Sequence, residues 1–439
     1  MKSILFFILI LLLSTASFCQ NKISCTLKGT VVDRTNSKIL ILAPYGTNSR
    51  VNEVVEIPIN DGRFGYKLVC DTEEMYELVF EDEEKNGAWR PIYFMSENGT
   101  VQFTLHPMDD YEKNSVKGTG KLNKELEAYD NKIEELFEFK KIHNLTKKLP
   151  YKGMTPEAYN IYTQWLDLDN QFMDLMHQGK EDKILNARKD SVWDELQKLE
   201  DSDRVYTDQY KKLESRMQSN MKKCTAWEIG YIINNKTPLG LALINQQMKS
   251  IGSMKKHFPD NYNPEDEALL LKSFNNSYLT KFPNHPVTEK IKQQIESEKI
   301  KPGGKYLDFT APDFNGTTHK LSDKIGGKIS LIDLWASWCG PCRRSAISMI
   351  PVYEEFKDKG FTIVGVAREY EKEDGLRAMK KDKYPWLNLL ELKDANKIWA
   401  RYGAGNGGGL VMLVDSDGTI LEVNPKAERV KEILIEKLK

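Results

Sequence analysis

The sequence predicts three parts: an antiparallel β domain, an α-helical region, and a C-terminal α/β domain with a mixed sheet and helices on both faces. Three patterns lead to this prediction. Alternating apolar residues fill the first part, apolar residues spaced three to four apart fill the second, and strands alternate with helices in the third. A chain of 439 residues is also too long for one core. We place a signal peptide at 1–19 and the three parts at 20–120, 121–298 and 299–439.

The N-terminus has the pattern of a secretory signal peptide. Lys2 precedes the apolar run Ile4–Leu13, and small residues that suit cleavage after Ala16 or Cys19 follow. The run is too short to span a bilayer, so we expect export to the periplasm or cell envelope. Lipoprotein anchoring is the alternative that we do not favour, because neither Cys19 nor Cys25 follows a leucine and small residues.

The charge balance argues against a nucleic-acid partner. The chain has 63 Lys and Arg residues against 64 Asp and Glu residues, so no bulk positive charge attracts a polyanion.

Residues 24–117 alternate between strand-like runs and turn signals such as Asn60-Asp61-Gly62. They include no acid pair, His cluster or Gly-rich phosphate loop, so we predict packing or binding for this domain. Cys25 and Cys70 fall in strand-like runs. They either pair with each other or remain small buried residues, and we favour burial.

The period changes at Leu122. Apolar residues then recur every three to four positions to about residue 297, and the opposite faces are rich in Lys and Glu. We predict several amphipathic helices whose aromatic residues belong to the helix core. A linker around Pro302-Gly303-Gly304 ends the region.

The C-terminal part begins with the apolar strand 329–334, which runs into Cys339 and Cys342 at the start of a helix. A thiol at a helix N-terminus faces unpaired N–H groups and the positive end of the helix dipole, so its pKa falls below the usual value of about 8.5. Cys342, one turn later, can resolve a mixed disulfide formed on Cys339. The remaining predicted elements are a helix at 340–359, a strand at 361–366, helical stretches at 371–382 and 394–402, a hairpin at 410–423 and a helix at 427–438.

These residues resemble a known family. Trp338-Cys339-Gly340-Pro341-Cys342 after an Asp-containing apolar strand resembles thioredoxin. The flanking motifs are similar to those of the exported TlpA/ResA branch, often labelled AhpC/TSA, over residues 305–439. These motifs are Ala311-Pro312-Asp313-Phe314, Leu321-Ser322-Asp323, Trp335-Ala336-Ser337-Trp338, Tyr384-Pro385-Trp386 and Leu413-Val414-Asp415-Ser416-Asp417-Gly418.

Residues near 29, 61–64 and 118–123 resemble, more weakly, the β-rich domain of unknown function that precedes such thioredoxins in some Gram-negative bacteria.

The resemblance implies a role for each site residue. Cys339 attacks a substrate disulfide, Cys342 releases the reduced product, and Asp333, six residues before Cys339, accepts the Cys342 proton. On an apolar strand, desolvation should raise the pKa of Asp333; a solvated strand-end Asp is the alternative. The Gly-Pro dipeptide matches that of reducing thioredoxins, whose reduction potential is about −270 mV. The predicted substrate-binding residues are Trp338, Gly340, Pro341, Gly408 and Gly409.

The sequence departs from the family pattern at two positions. Gly409 stands where the family has a cis-proline facing the disulfide, and a cis bond before a non-proline residue costs about 3–4 kcal/mol, so we expect a trans bond. We hypothesise slow or narrowed exchange with protein disulfides, which an unchanged rate in Gly409→Pro would contradict. Ile347 replaces the family's helix proline, and Pro351 stands one turn later.

We therefore predict an exported thiol–disulfide oxidoreductase that reduces protein disulfides and takes electrons from a membrane-bound donor, since no nicotinamide or flavin motif is present. No cofactor is expected, and no zinc site, because no His motif accompanies the two thiols. One alternative is a cell-envelope binding protein with a weakened thioredoxin domain. The other is a thiol peroxidase, although the Pro-x-x-x-Thr-x-x-Cys context of peroxidatic cysteines is missing before Cys339.

Overall fold

The computed structural model describes residues 22–47, 52–85, 90–177, 182–259, 262–405 and 408–438. The predicted signal peptide at 1–19 lies outside these residues. Within the described part of the chain, no helix combines the length and apolar character that crossing a membrane requires.

The N-terminal region is a sandwich of two four-stranded sheets. Alternate residues point inward, and the inward side chains of both sheets share one core that includes Leu27, Leu42, Phe94 and Phe103. The strands are β1 Ile23–Val31, β2 Ile39–Pro44, β3 Val55–Pro58, β4 Arg63–Cys70, β5 Met75–Phe80, β6 Ile92–Met95, β7 Gly99–Leu105 and β8 Ser115–Gly118, with the short helix α1 Glu81–Lys85 after β5.

The sheets have the orders β4-β1-β7-β8 and β3-β2-β5-β6. Neighbouring strands pair antiparallel, as the sequence predicts, except that β1 and β7 pair in parallel. Alternation of side chains does not distinguish the two pairings, so this exception is a finding of the structure.

Cys25 and Cys70 are free thiols. The register of β1 and β4 places Cys70 opposite Ile23 and Cys25 opposite Leu68, so the two cysteines are not directly paired. Cys25 is fully buried, so the interpretation of it as a small core residue is correct, whereas Cys70 is only partly buried and the same interpretation is wrong for it.

Helices fill the middle of the chain. Their apolar faces form one core, including Leu243, Ile244 and Tyr278, that also takes in Met75 and Met95 of the sandwich. The helices are α2 Lys121–Phe137, α3 Phe139–Lys147, α4 Pro156–His177, α5 Lys183–Asp201, α6 Asp208–Asn234, α7 Pro238–His257, α8 Pro264–Ser273, α9 Leu279–Lys281 and α10 Pro286–Ser297.

The C-terminal region has a five-stranded mixed sheet with the order β13-β12-β11-β14-β15, preceded by the small hairpin β9-β10. The first three strands of the large sheet run parallel, and β14 and β15 continue it antiparallel. The elements are β9 Thr310–Pro312, β10 Thr318–Lys320, α11 Leu321–Ile325, β11 Ile329–Trp335, α12 Gly340–Phe356, β12 Phe361–Glu369, α13 Lys372–Asp382, β13 Leu387–Leu392, α14 Ile398–Arg401, β14 Leu410–Val414, β15 Ile420–Val423 and α15 Ala427–Lys437.

Helices cover both faces of this sheet. Helices α12 and α15 pack on the face that carries Leu331 and Leu413, whereas α11, α13 and α14 share a core with Ile332 and Leu334 on the other face. The predicted mixed α/β fold is therefore confirmed. Helix α12 continues through Pro351, but β13 was missing from the predicted order of elements.

Among the described residues, the earlier regions contact the C-terminal region around Arg401 and around Asp394, where Lys393 also forms an ion pair with Glu53 at 3.7 Å. Arg401 of α14 forms an ion pair with Glu296 of α10, with Nε and Oε2 at 3.0 Å. In the second contact, the Asn52 side-chain amide donates to Asp394 Oδ2 at 3.3 Å.

Candidate active site

The two cysteines of the Cys-x-x-Cys motif lie at the N-terminus of α12 and are joined by a disulfide. Cys339 is the N-cap residue, and its Sγ accepts a hydrogen bond from the N–H of Cys342 at 3.3 Å. The side chain of Cys339 therefore faces the unpaired N–H end of the helix, as the sequence predicts. Cys339 is only 5% exposed and Cys342 is 9% exposed.

Asp333 lies inside the sheet on β11. Its side chain is on the same face as Leu331, which α12 covers, and the residue is 2% exposed. Burial raises the pKa of this carboxyl to about 7. Among the described residues, its Oδ1 has no hydrogen-bond partner. The expectation of a desolvated carboxyl is confirmed, and the alternative of a solvated strand-end Asp is wrong.

Gly408 and Gly409 lie against the disulfide. A side-chain carbon built at Gly408 would be 3.8 Å from Cys339 Sγ and 3.9 Å from Cys342 Sγ. The N–H of Gly409 donates to Cys342 Sγ at 3.0 Å. The described residues contain no cis peptide bond, so the bond into Gly409 is trans, as expected without proline.

The other three predicted substrate-binding residues surround the same point. Trp338 is 37% exposed, and its ring centroid is 6.5 Å from that of the buried Trp399. Gly340 and Pro341 form the first positions of α12, where proline lacks only an N–H that has no helical partner. The structure therefore brings the predicted site residues together; their binding role remains a prediction.

Sequence reasoning missed a carboxylate that holds the segment before Cys339. Glu369, at the end of β12, is buried, and its two oxygens accept hydrogen bonds from the N–H and the hydroxyl of Ser337, each at 2.6 Å. Burial raises the pKa of Glu369. Because Ser337 is two residues before Cys339, these bonds fix the approach of the chain to the helix start.

Arg343 binds the same segment from the helix side. Its Nη1 donates to the Ser337 carbonyl oxygen at 3.3 Å, and its Nε and Nη2 contact the Asp382 carboxylate at 2.6 and 2.7 Å. The Arg343 hydrogen bond holds the pKa of Asp382 below its usual value. An Arg directly after the second cysteine was the available sequence signal, but its partner lies 39 residues away.

A second arginine contacts the chain at Gly405, and this one is buried. Arg368 is 4% exposed, and its Nε donates to Asp394 Oδ1 at 2.7 Å while Nη2 contacts Asp394 Oδ2. Its Nη1 donates to the Gly405 carbonyl oxygen at 2.7 Å. The guanidinium also lies 5.0 Å from the centre of the Trp399 ring. No motif in the sequence marked this residue.

This arrangement suits exchange between thiols and disulfides. It combines a disulfide between two cysteines, N–H donors at both sulfurs and a buried carboxyl able to hold a proton near neutral pH. Within the described ranges, no group of three or more His, Cys, Asp or Glu side chains is arranged to hold a metal ion.

The sequence comparisons fit this site. Residues 302–423 match the AhpC/TSA family. The chain is 28% identical over 127 residues to thiol-disulfide oxidoreductase ResA of Bacillus thuringiensis strain Al Hakam, a match that covers 29% of this chain and 71% of that protein. It is 36% identical over 69 residues to ResA of Bacillus subtilis strain 168, covering 16% of this chain and 38% of that protein.

Two solved structures also match. The thioredoxin domain of a thiol-disulfide oxidoreductase from Bacteroides vulgatus is 29% identical, with a TM-score of 0.30, 31% of this chain and 98% of that chain covered. A putative thiol:disulfide interchange protein DsbE from Chlorobium tepidum is 28% identical, with a TM-score of 0.29, 32% of this chain and 99% of that chain covered.

The family match, at residues 302–423, lies in the C-terminal part of the chain, where the site is. The C-terminal region of this chain is therefore a TlpA/ResA-like, AhpC/TSA-type thioredoxin-family domain of the thiol–disulfide oxidoreductase class.

Proposed function

We propose that Cys339 and Cys342 form a dithiol–disulfide couple that reduces disulfide bonds in exported proteins. The observation that carries this proposal is the disulfide at the N-terminus of α12, where each sulfur accepts a main-chain N–H. Asp333, buried on the strand that α12 covers, supplies a carboxyl whose pKa of about 7 allows it to gain or lose a proton at neutral pH.

The reaction uses both sulfurs in turn. The Cys339 thiolate attacks one sulfur of the substrate disulfide, a mixed disulfide forms, and the other substrate sulfur leaves and takes up a proton. Cys342 then loses its proton to Asp333 and attacks Cys339 Sγ. The second substrate sulfur leaves as a thiol, and the Cys339–Cys342 disulfide remains.

We assign the first attack to Cys339 because of its position rather than its exposure. Both cysteines are less than a tenth exposed, so access does not distinguish them. Cys339 caps the helix, and the N–H of Cys342 points at its sulfur, which stabilises a thiolate there.

Trp338, Gly340 and Pro341 on one side, with Gly408 and Gly409 on the other, are proposed to contact the substrate peptide. A segment without side chains at 408 and 409 leaves the disulfide edge open to a main chain. It also provides fewer apolar contacts, which supports the expectation of slow or narrowed exchange.

Each cycle leaves the couple oxidised, so two electrons must come from outside the chain. We propose a membrane-bound donor, in keeping with the predicted export of the protein to the periplasm or cell envelope. Fractionation of cells that express the full chain tests the location, and recovery of the protein in the cytosol would contradict it.

Trapping tests the activity. In the Cys342→Ser variant, Cys339 can attack but the mixed disulfide cannot be resolved, so envelope extracts should accumulate adducts that dithiothreitol releases. The double variant Cys339→Ser/Cys342→Ser, which retains the other cysteines, is the matched control.

If the Cys342→Ser variant forms no more adducts than the double variant, the reductase proposal is wrong and the binding-protein alternative gains support. Peroxide consumption that matches the rate of disulfide reduction would instead favour the thiol peroxidase.

A further inference from the structure

Gly409 supplies a hydrogen-bond donor that a proline at the same position lacks. The N–H of Gly409 lies 3.0 Å from Cys342 Sγ, whereas a prolyl nitrogen has no hydrogen. Glycine in place of the family's proline therefore adds an N–H donor to the site and removes the proline ring. The two sulfurs become alike in this respect, because Cys339 Sγ already accepts the N–H of Cys342.

We propose that the Gly409 N–H stabilises the Cys342 sulfur as a thiolate whenever the disulfide opens, and that Arg368 is the positioning residue that holds this donor in place. The inference rests on the proposed function, since it concerns the same dithiol couple. It adds a second stabilised thiolate to a site in which only Cys339 was expected to be activated.

The chemistry follows from where the electrons go. When a donor thiolate attacks Cys339 Sγ of the oxidised site, the bond between Cys339 and Cys342 breaks and its electron pair passes to Cys342 Sγ. A thiolate accepts a hydrogen bond more strongly than a disulfide sulfur does, since hydrogen bonds to charged groups are the stronger ones. The N–H therefore favours the open, reduced form and makes the couple less reducing.

Titratable and charged groups lie on the elements around this sulfur. Cys339 and Arg343 flank Cys342 at the start of α12, with the Arg343 side chain held by Asp382, and Asp333 lies on β11, the strand that α12 covers. Glu369 of β12 acts through Ser337. Of these groups, an ionised Asp333 disfavours a second negative charge on Cys342 Sγ. The Gly409 N–H carries no net charge and is the group that adds stabilisation to the Cys342 thiolate.

Only glycine fits the backbone at position 409. A Cβ built there would be 1.7 Å from the carbonyl oxygen of Leu334, the last-but-one residue of β11. The neighbouring Leu410 pairs with Leu334 in the sheet, so the chain enters β14 in close contact with the strand that leads to the cysteines. This close contact brings the N–H of Gly409 to the sulfur.

Arg368 contacts the chain at Gly405, before the two glycines at the disulfide. Its Nη1 donates to the carbonyl oxygen of Gly405, and the Asp394 carboxylate fixes the other edge of the guanidinium. A buried arginine needs such a partner, because an unpaired charge inside the protein is costly. Gly405 is four residues before Gly409, so the arginine fixes a point of the chain that is close in sequence to the donor.

Two variants of the full chain isolate the N–H. Gly409→Ala and Gly409→Pro both add a Cβ next to Leu334, but only the proline removes the donor. We would measure the equilibrium constant of the couple against glutathione, and the pKa of Cys342 in a Cys339→Ser background. Relative to Gly409→Ala, Gly409→Pro should shift the glutathione equilibrium toward the disulfide by about tenfold and raise the Cys342 pKa by about one unit.

Equal values in the two variants would overturn the proposal if Gly409→Ala also matches the natural chain, because its added Cβ then leaves the donor in place. If Gly409→Ala differs from the natural chain, or if neither variant folds, Arg368 decides it. Arg368→Gln/Asp394→Asn removes the charge pair without leaving a buried charge, and should shift the glutathione equilibrium in the same direction by about threefold, with Arg368→Lys closer to the natural chain. No shift in the double variant would contradict the role of Arg368.

Arg429→Gln is the matched control, because it removes an exposed ion pair with Glu422 on the same sheet and should leave the glutathione equilibrium unchanged. Glutathione measurements need no physiological substrate. They therefore separate failure of this inference from failure of the proposed function, which the trapping experiment tests.

Discussion

Two cysteine sites of this protein, Cys224 in the helical region and the Cys339–Cys342 pair in the C-terminal region, differ in how their surroundings suit them to chemistry. In the helical region, Glu228 accepts hydrogen bonds from Tyr129 and from Gln247, the latter at 2.7 Å. Burial and the neighbouring Glu228 raise the pKa of Cys224 to about 12, so this thiol stays protonated. In the C-terminal region, Asp333 has an oxygen without a partner among the described residues, and the cysteines face N–H groups.

The difference shows that a buried acid is not by itself a functional signal. Burial raises the pKa of both Glu228 and Asp333. Glu228 joins helices α2, α6 and α7 through its hydrogen bonds, so its polar atoms are satisfied. Asp333 lies on the strand that α12 covers, and its Oδ1 has no hydrogen-bond partner among the described residues, so this oxygen is available to hold a proton.

The largest effect should come from the cysteines themselves. Cys339→Ser removes the attacking sulfur and should lower the rate of disulfide reduction by at least about a thousandfold. Cys224→Ala removes a thiol that stays protonated and should leave this rate within about twofold. The rate of insulin reduction measures both effects. A comparable loss in Cys224→Ala would contradict the distinction drawn between Cys224 and the Cys339–Cys342 pair.

Asp333 should affect rate and stability in opposite directions. Asp333→Asn removes the proton acceptor for Cys342, and we expect the rate of disulfide reduction at pH 7 to fall by about a hundredfold. The pKa of Asp333 is about 7 in the folded chain against about 3.9 in an unfolded one, so the folded state binds the proton more tightly and stability falls as pH rises between these values. Above pH 7, Asp333→Asn should therefore raise the free energy of unfolding by up to about 4 kcal/mol.

Glu228→Gln is the matched control for Asp333. The amide keeps one acceptor and sets an NH₂ group against a partner donor, so the free energy of unfolding should fall by about 1–3 kcal/mol at pH 5. The fall should be smaller at pH 8, because the raised pKa of Glu228 lowers the stability of the natural chain as the pH rises. Urea unfolding at pH 5 and pH 8 measures both variants. A gain in stability for Glu228→Gln at pH 8 would show that the two carboxyls are equivalent.

Glu369 should have a smaller effect on the rate. Glu369→Gln loses one of the two hydrogen bonds to Ser337, so the segment before Cys339 is held less firmly, and the rate of insulin reduction should fall by about tenfold. Glu373→Gln, an exposed change on α13, is the control. An unchanged rate in Glu369→Gln would show that α12 alone positions Cys339.

The smallest effect should come from the contact between the β sandwich and the C-terminal region. Asn52→Ala removes a hydrogen bond of 3.3 Å to Asp394, which Arg368 already holds, so the glutathione equilibrium should change by less than about twofold. Asn315→Ala, whose side chain is exposed, is the control. A tenfold change in Asn52→Ala would indicate that the sandwich regulates the site.

The sequence predicts the centre of the site because its signals are local. Cys339, Cys342 and Asp333 lie on one strand–helix unit, and the apolar strand by itself implies burial of the carboxyl. Glu369 and Arg368 escape prediction because their partners are 32 and 26 residues away. They meet these partners only through the parallel register of β11, β12 and β13.

The missed strand β13 has a related cause. The run Leu387–Leu392 is rich in leucine, which is common in helices, and its buried Glu391 and Asn388 interrupt the apolar pattern expected of an inner strand. Hydrogen bonds to Trp335 and to the chain near Asn396 satisfy these polar residues, and neither could be read from the run itself.

The close approach of Gly409 to Leu334 also restricts how this sequence can evolve. Because any side chain at position 409 would meet the Leu334 carbonyl oxygen at 1.7 Å, a return to proline requires a shift of β14 against β11 at the same time. A single mutation to proline is therefore expected to be disfavoured even if it improved exchange. We expect descendants of this chain to keep the glycine, and any chain with proline at this position to carry accompanying changes in these two strands.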